Sequence, residues 1–114
     1  MKKSIIKEKS FAFALQAIEL YKILQFKKEY IISKQFLRSA TSIGANVNEA
    51  LAGESRADFV HKMSIASKEA RESLYWLELL EQSQIVTFDY SVYIQKCVEL
   101  VKILTSIVKS TRKK

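Results

Sequence analysis

The chain is 114 residues long, 48% hydrophobic and 27% charged, and it carries a formal net charge of +7. That length allows one domain with a hydrophobic core, and the apolar content excludes an intrinsically disordered chain. The single cysteine, Cys97, excludes an internal disulfide, and no apolar run reaches the length of a membrane span. Charged residues interrupt the apolar stretch near the N-terminus, so we expect no signal peptide, no membrane association and a cytoplasmic location.

Two helical patterns fill the first half of the chain, at about residues 4–28 and 34–52. Residues 29–33 interrupt the pattern, and Ser33 is the predicted N-cap of the second helix, which ends near Gly53. The core face predicted for the first helix contains Phe11, Ala14, Leu15, Ile18, Tyr21 and Leu24, and is widened by Phe13, Leu20 and Ile23.

Two further helical patterns fill the second half. Ser55 with Asp58 three residues later is a helix-start signal, and the third helix runs from there to about Gln84. Thr87 and Asp89 are predicted to open the fourth helix, which has the most regular apolar pattern. The chain contains no proline and only two glycines, which favours short connections. We therefore predict an all-α fold, an antiparallel up-down-up-down four-helix bundle that forms a single domain over residues 1–114.

The excess positive charge lies at the two ends of the chain. Residues 1–9 carry four basic residues and one acidic residue, residues 109–114 carry four basic residues, and the interior balances at 11 of each sign. The predicted topology brings both ends to one pole of the bundle. The ends are either solvated tails or a surface for an anionic polymer. In the second interpretation the contacts to nucleic-acid phosphate are Lys2, Lys3, Lys7, Lys9, Lys109, Arg112, Lys113 and Lys114.

A polar stripe on the second helix contains Ser42, Asn46 and Glu49, at steps of four and three residues. It is either a structural network, in which Arg38 is one candidate donor, or a contact to ligand or RNA. Small residues on the third helix, among them Ala66 and Ser73, would let a neighbouring helix approach closely and favour the structural interpretation. On the same helix Tyr75 and Trp76 are adjacent, so one of them is expected to cover a subunit interface.

No constellation of residues typical of catalysis is present. Cys97 lies on an apolar helix face and is predicted to be a core residue, and His61 has no histidine or cysteine partner for a metal. Glu49, Glu69 and Glu72 lack the Glu-x-x-His pattern of di-metal bundles. We therefore expect a protein without enzymatic activity, metal or cofactor. An enzyme that uses Glu49 and His61 is a weaker interpretation than nucleic-acid binding or an interaction scaffold.

The order of residues from Arg38 to Ala66 resembles the four-helix-bundle family of 23S rRNA intervening sequence proteins. That family has the pattern Arg-x-Ala-x-Ser-Ile-Pro-x-Asn-Ile-x-Glu-Gly, and it is similar to the accessory variability protein of diversity-generating retroelements. The matching residues are Arg38, Ala40, Ser42, Ile43, Asn46 and Glu49, followed by Phe59, Ser64, Ile65 and Ala66. The chain departs from the pattern at Gly44, which replaces the proline, at Ala50, which replaces the glycine, and at Asp58, which replaces a glutamate.

The resemblance implies a ring-shaped homo-oligomer of four-helix bundles, typically a homopentamer with basic surfaces. In the retroelement relatives the ring binds a reverse transcriptase and nucleic acid. We therefore predict a non-enzymatic, oligomeric protein that binds nucleic acid, with RNA as the expected ligand. The alternative is an interaction scaffold that docks a partner such as a reverse transcriptase.

Overall fold

The computed structural model describes residues 4–112, and these form four α-helices. The helices are α1 (Ile5–Phe26), α2 (Ile32–Ala52), α3 (Arg56–Ser83) and α4 (Ser91–Arg112). Each helix packs against the next in the chain, and α4 returns to pack against α1, which closes a bundle with overall dimensions of 45 × 22 × 22 Å. The predicted all-α architecture of four packed helices is confirmed, and no strand forms within residues 4–112.

The cores of α3 and α4 follow the predicted apolar patterns. On α4 the side chains of Cys97, Leu100 and Leu104 are buried, and on α3 those of Met63 and Leu77 are buried. The Cys97 thiol donates a hydrogen bond of 3.3 Å to a backbone carbonyl oxygen of α3, and burial raises its pKa to about 12. Cys97 is therefore a core residue, as predicted, and its protonated thiol is a poor nucleophile.

The predicted core face of α1 was right only in part: Phe13, Leu20 and Leu24 are buried as predicted, but three of its large apolar side chains are not. Phe11 and Leu15 are 61% and 52% exposed, and Ile18 is also exposed. The stripe that α1 buries contains Ile6, Ser10, Phe13, Ala17, Leu20 and Leu24. This stripe packs against α2, and at Gly44 the two helices are close enough that an added Cβ atom would be in ordinary van der Waals contact with the Ser10 carbonyl oxygen, at 3.5 Å. Phe11, Leu15 and Ile18 are left as an exposed apolar stripe.

The N-terminus of α2 is capped by Glu29, not by the predicted Ser33. One Glu29 carboxylate oxygen accepts from the N–H groups of Ile31 and Ile32 at 3.0 and 2.9 Å, and the other accepts from Ser33 N–H at 2.7 Å. The hydroxyl of Ser33 donates to the Glu29 carbonyl oxygen instead, at 2.7 Å. A charged carboxylate satisfies several free N–H groups at the positive end of the helix dipole, which a hydroxyl cannot do.

The start of α3 agrees with its prediction, whereas the start of α4 does not. The Ser55 hydroxyl accepts from Asp58 N–H at 3.0 Å, so the predicted start of α3 is confirmed. The start of α4 is later than predicted, because the helix begins at Ser91. The Asp89 carboxylate accepts from Ser91 N–H at 3.0 Å and therefore lies just before the helix, while Thr87 lies in the connection.

The Glu29 cap predicts a loss of stability in Glu29→Gln. Burial of the Glu29 carboxyl acts to raise its pKa, but hydrogen bonds from the N–H groups of Ile32, Ser33 and Ile31 outweigh burial and lower the pKa overall. The neutral amide keeps one acceptor oxygen, so we expect the free energy of unfolding to fall by about 1–2 kcal/mol in urea denaturation at neutral pH.

The sign of the pH dependence follows from the lowered pKa. The stabilisation from Glu29 is present above the ordinary pKa of glutamate and is lost as the pH falls through the lower pKa of the folded state. The difference between wild type and Glu29→Gln should therefore shrink in acid. Glu54→Gln, at an exposed position, is the control, and an equal loss in the control would show that the cap is not the cause.

Candidate nucleic-acid interface

The start of α3 and the end of α4 meet at one pole of the bundle. A guanidinium nitrogen of Arg56 donates to the Thr111 carbonyl oxygen at 2.6 Å, and a guanidinium nitrogen of Arg112 donates to the Ser64 hydroxyl at 3.3 Å. These contacts join the connection between α2 and α3 to the last turn of α4. The antiparallel topology therefore brings basic residues that are distant in sequence to the same surface.

A groove runs between α3 and α4 from this pole. It consists of two adjoining hollows of about 730 and 500 Å³, which share Ser64, Lys68 and Arg112. We call it the cationic groove, and its charged residues are Arg56, Lys68, Arg71, Lys109 and Arg112. His61 also lines it, and none of the lining residues is acidic. A concave surface with charge of one sign attracts polyanions.

The arginines of the cationic groove are held by neutral acceptors. Arg71 donates to the Thr105 hydroxyl at 3.1 Å, and Arg112 and Arg56 bind a hydroxyl and a carbonyl oxygen, respectively. These contacts orient each guanidinium group without compensating its charge. The remaining N–H donors of each fork can therefore bind a phosphate oxygen.

Lys109 and Arg112 also have a possible structural role. They lie in the last turn of α4, where cations interact favourably with the negative end of the helix dipole. The same role applies to Arg56, which donates to the Thr111 carbonyl oxygen in that last turn, but not to Lys68 and Arg71, which lie within α3. The groove as a whole therefore needs another explanation.

The predicted phosphate contacts do not all lie together. Lys109 and Arg112 line the cationic groove, whereas Lys7 is exposed on α1 at a second groove, between α1 and α2. Lys9 forms an ion pair of 2.9 Å with Glu99, which compensates its charge. The other predicted contacts, which lie outside the described residues, are Lys2, Lys3, Lys113 and Lys114.

Sequence reasoning missed Lys68 and Arg71 as members of this surface. Their signal was the spacing of His61, Ser64, Lys68 and Arg71, at steps of three, four and three residues, which places them on one face of α3. Arg56 was not among the predicted phosphate contacts either. The interior charge balance hid all three residues.

The predicted polar stripe of α2 is partly joined into a network with α3. The Ser42 hydroxyl donates to a Glu69 carboxylate oxygen at 3.3 Å, and the Asn46 amide donates to the carbonyl and hydroxyl oxygens of Ser42 at 2.9 and 3.1 Å. Glu49 is exposed and makes no hydrogen bond within residues 4–112. Glu49 therefore stands apart from the network that was predicted to include it.

Arg38 links the polar network to a second carboxylate. Its guanidinium group forms ion pairs with Glu69, at 3.4 Å, and with Glu72. The indole N–H of Trp76 also donates to Glu72, at 3.0 Å. The hydrogen bond from Arg38, followed by that from Trp76, lowers the pKa of the Glu72 carboxyl. The network links α2 to α3 through one guanidinium group that is shared by two carboxylates.

Within residues 4–112 no group of three or more His, Cys, Asp or Glu side chains is placed to hold a metal ion. None of the four helices is both long and apolar enough to cross a membrane.

The fold and the groove define a small antiparallel four-helix-bundle protein with a cationic surface between its last two helices. The chain belongs to the 23S rRNA-intervening sequence protein family, whose model matches residues 2–106. The resemblance read from Arg38 to Ala66 is thereby confirmed at the level of the family.

A solved structure is similar to this protein over nearly all of both chains. It is the crystal structure, at 1.70 Å resolution, of a protein with unknown function from the S23 ribosomal protein family of Bacteroides thetaiotaomicron VPI-5482. The identity is 47%, the alignment covers 92% of this chain and 99% of that one, and the TM-score is 0.86. A comparison with curated proteins found no match.

The Arg38 network predicts that Arg38→Gln destabilises the bundle. Without the guanidinium group, Glu69 and Glu72 remain close together with no counter-charge. Because Arg38 is half exposed and screened by solvent, we expect a loss of only about 0.5–1 kcal/mol in urea denaturation. The loss should shrink as salt is added. Lys34→Gln, an exposed position on the same helix, is the control, and a loss that is the same in both variants would contradict the role of the network.

Proposed function

We propose that this protein binds nucleic acid, with RNA as the expected ligand, through phosphate contacts in the cationic groove. We also propose that it has no enzymatic activity. The observation that carries the proposal is a groove lined by five cations and no acid, in which three arginines are oriented by neutral acceptors. The family description, which names an intervening sequence of 23S rRNA, supports RNA as the ligand. Phosphate contacts give affinity without reading sequence.

The proposal includes the predicted terminal contacts. Lys109 and Arg112 belong both to that set and to the groove. The terminal lysines that the structure does not describe, Lys2, Lys3, Lys113 and Lys114, are kept as further contacts. A cytoplasmic location is also part of the proposal, because the single Cys97 implies no disulfide chemistry.

The test is the double variant Lys68→Gln/Lys109→Gln. Both side chains are exposed lysines of the cationic groove, so their replacement removes two charges without disturbing the core. We expect RNA affinity to fall roughly tenfold, and the slope of log affinity against log salt to become shallower by about one to two units. Fluorescence anisotropy of a labelled RNA over a salt series measures both quantities.

The matched control is Lys22→Gln/Lys27→Gln. These exposed lysines lie at the end of α1, at the opposite pole, and their loss changes the net charge by the same amount. The control should retain wild-type affinity and salt slope. An equal loss in both variants would mean that net charge alone drives binding, and no loss in the groove variant would refute the assignment of the groove.

We further propose that the protein assembles into a ring-shaped homo-oligomer, with a pentamer as the expected state. The exposed apolar stripe on α1, formed by Phe11, Leu15 and Ile18, supports this, because neighbouring exposed apolar side chains mark surfaces that contact a partner. Beside it lies a groove of about 1180 Å³ between α1 and α2. Gly44 and Ala45 line that groove, and their small size would let a second helix approach closely.

Assembly through the stripe predicts that Phe11→Gln/Leu15→Gln breaks the oligomer. Both side chains are exposed, so helicity measured by circular dichroism should be unchanged. Light scattering should show a wild-type mass about five times the 13.1 kDa of one chain and a much smaller mass for the variant. A wild-type mass of one chain would refute assembly, and a variant of wild-type mass would move the interface elsewhere.

The second candidate function is an interaction scaffold that docks a partner such as a reverse transcriptase. The same exposed stripe of Phe11, Leu15 and Ile18 favours it, since a partner protein would bury the stripe as well as a second copy would. This candidate rests on the proposed similarity to the accessory variability protein. Weak RNA affinity of the isolated protein, with strong affinity of a complex, would favour the scaffold.

A further inference from the structure

One exposed aromatic side chain continues the cationic groove. Ser64, Lys68, Arg71 and Tyr75 follow one another on α3 at steps of four, three and four residues, so all four lie on one face of the helix. From the rise of an α-helix, Tyr75 lies about 6 Å beyond Arg71 and about 10 Å beyond Lys68 along the axis. A strand that binds these cations would therefore pass beside the ring of Tyr75.

The ring of Tyr75 is both open to solvent and held in place. Tyr75 is 56% exposed, and its ring packs edge to face against Trp76, with centroids 5.0 Å apart and planes at 70°. Trp76 is itself fixed by its hydrogen bond to Glu72, which is paired with Arg38. An oriented and exposed aromatic ring is suited to stacking, because little conformational freedom is lost when a flat partner binds.

The groove itself offers charge but no large aromatic surface. No Phe, Tyr or Trp is among the residues that line its two hollows. Proteins that bind single strands combine a cationic channel for the backbone with aromatic side chains on which bases stack. Tyr75 supplies the second element at the end of the channel. In a duplex the faces of a base are covered by its neighbours, so only an unpaired base could use this ring.

Building on the proposed function, we infer that the RNA bound in the cationic groove is single-stranded where it passes Tyr75, and that Tyr75 stacks on one of its unpaired bases. The substrate class is therefore RNA with an unpaired segment, such as a loop or an end, and not a continuous duplex. Arg71 and Lys68 bind the neighbouring phosphates, and Arg112, held by Ser64, binds further along the groove.

The experiment compares two forms of one RNA on the full-length protein. Anisotropy is measured with a labelled single-stranded RNA and with the same RNA annealed to its complement. Tyr75→Ala should weaken single-strand binding about fivefold or more and leave duplex binding unchanged, whereas Tyr75→Phe should keep wild-type affinity because it keeps the ring. Tyr30→Ala is the matched control, since Tyr30 is 57% exposed in the connection between α1 and α2 and does not line the cationic groove.

Three results would overturn the inference. The first is that Tyr75→Ala binds the single strand with wild-type affinity, and the second is that it loses the same affinity for single strand and duplex. The third is that Tyr75→Ala changes the oligomeric mass, which would place Tyr75 at a subunit interface. If Lys68→Gln/Lys109→Gln loses RNA affinity and Tyr75→Ala keeps it, the stacking on Tyr75 is refuted but the phosphate contacts of the cationic groove are not. A wild-type protein without RNA affinity would refute both the stacking and the proposed function.

Discussion

The three connections of the bundle, residues 27–31, 53–55 and 84–90, are far shorter than the helices that they join. An extended residue spans at most about 3.6 Å, so residues 53–55 cannot run back along a molecule 45 Å long. Successive helices must therefore be antiparallel. That constraint brings the first turn of α3 against the last turn of α4, where Arg56 meets Thr111. The cationic groove is a direct product of this topology, because its residues come from two helices that meet only in the antiparallel arrangement.

Small residues decide which face of each helix turns outward. The hydroxyl groups of Ser39 on α2 and Ser73 on α3 lie 2.8 Å apart in the buried seam between these helices. Ala66 and Ala70 are buried on the same side of α3. With this side committed to the core, the stripe of α3 that contains Lys68 is left facing solvent beside α4. The groove is therefore positioned by the packing of α2 on α3 as much as by its own residues.

The sequence predicts helices with a single apolar stripe better than helices with two. On α4 one stripe is apolar, and it is the stripe that is buried. On α1 both the Phe11 stripe and the Phe13 stripe are apolar, and periodicity cannot say which of them meets α2. The cap of α2 was missed for a related reason. Lys28 adopts the left-handed conformation at the end of α1, and Glu29, which follows it, reaches forward to the N–H groups at the start of α2. Such contacts depend on backbone geometry that a pattern of residue types does not contain.

The groove was missed for a different reason, which is that net charge conceals how charges are paired. The interior of the chain is neutral in sum, yet its acids are not distributed evenly: Glu69 and Glu72 neutralise Arg38, and Glu99 neutralises Lys9. An acid committed to one partner is not available to another. The cations between α3 and α4 are therefore left in excess, and the neutral sum of the interior conceals Arg56, Lys68 and Arg71 among them. The same residue type serves two purposes in this molecule, since Arg38 links two helices while Arg71, which faces only a hydroxyl, retains its charge for a ligand.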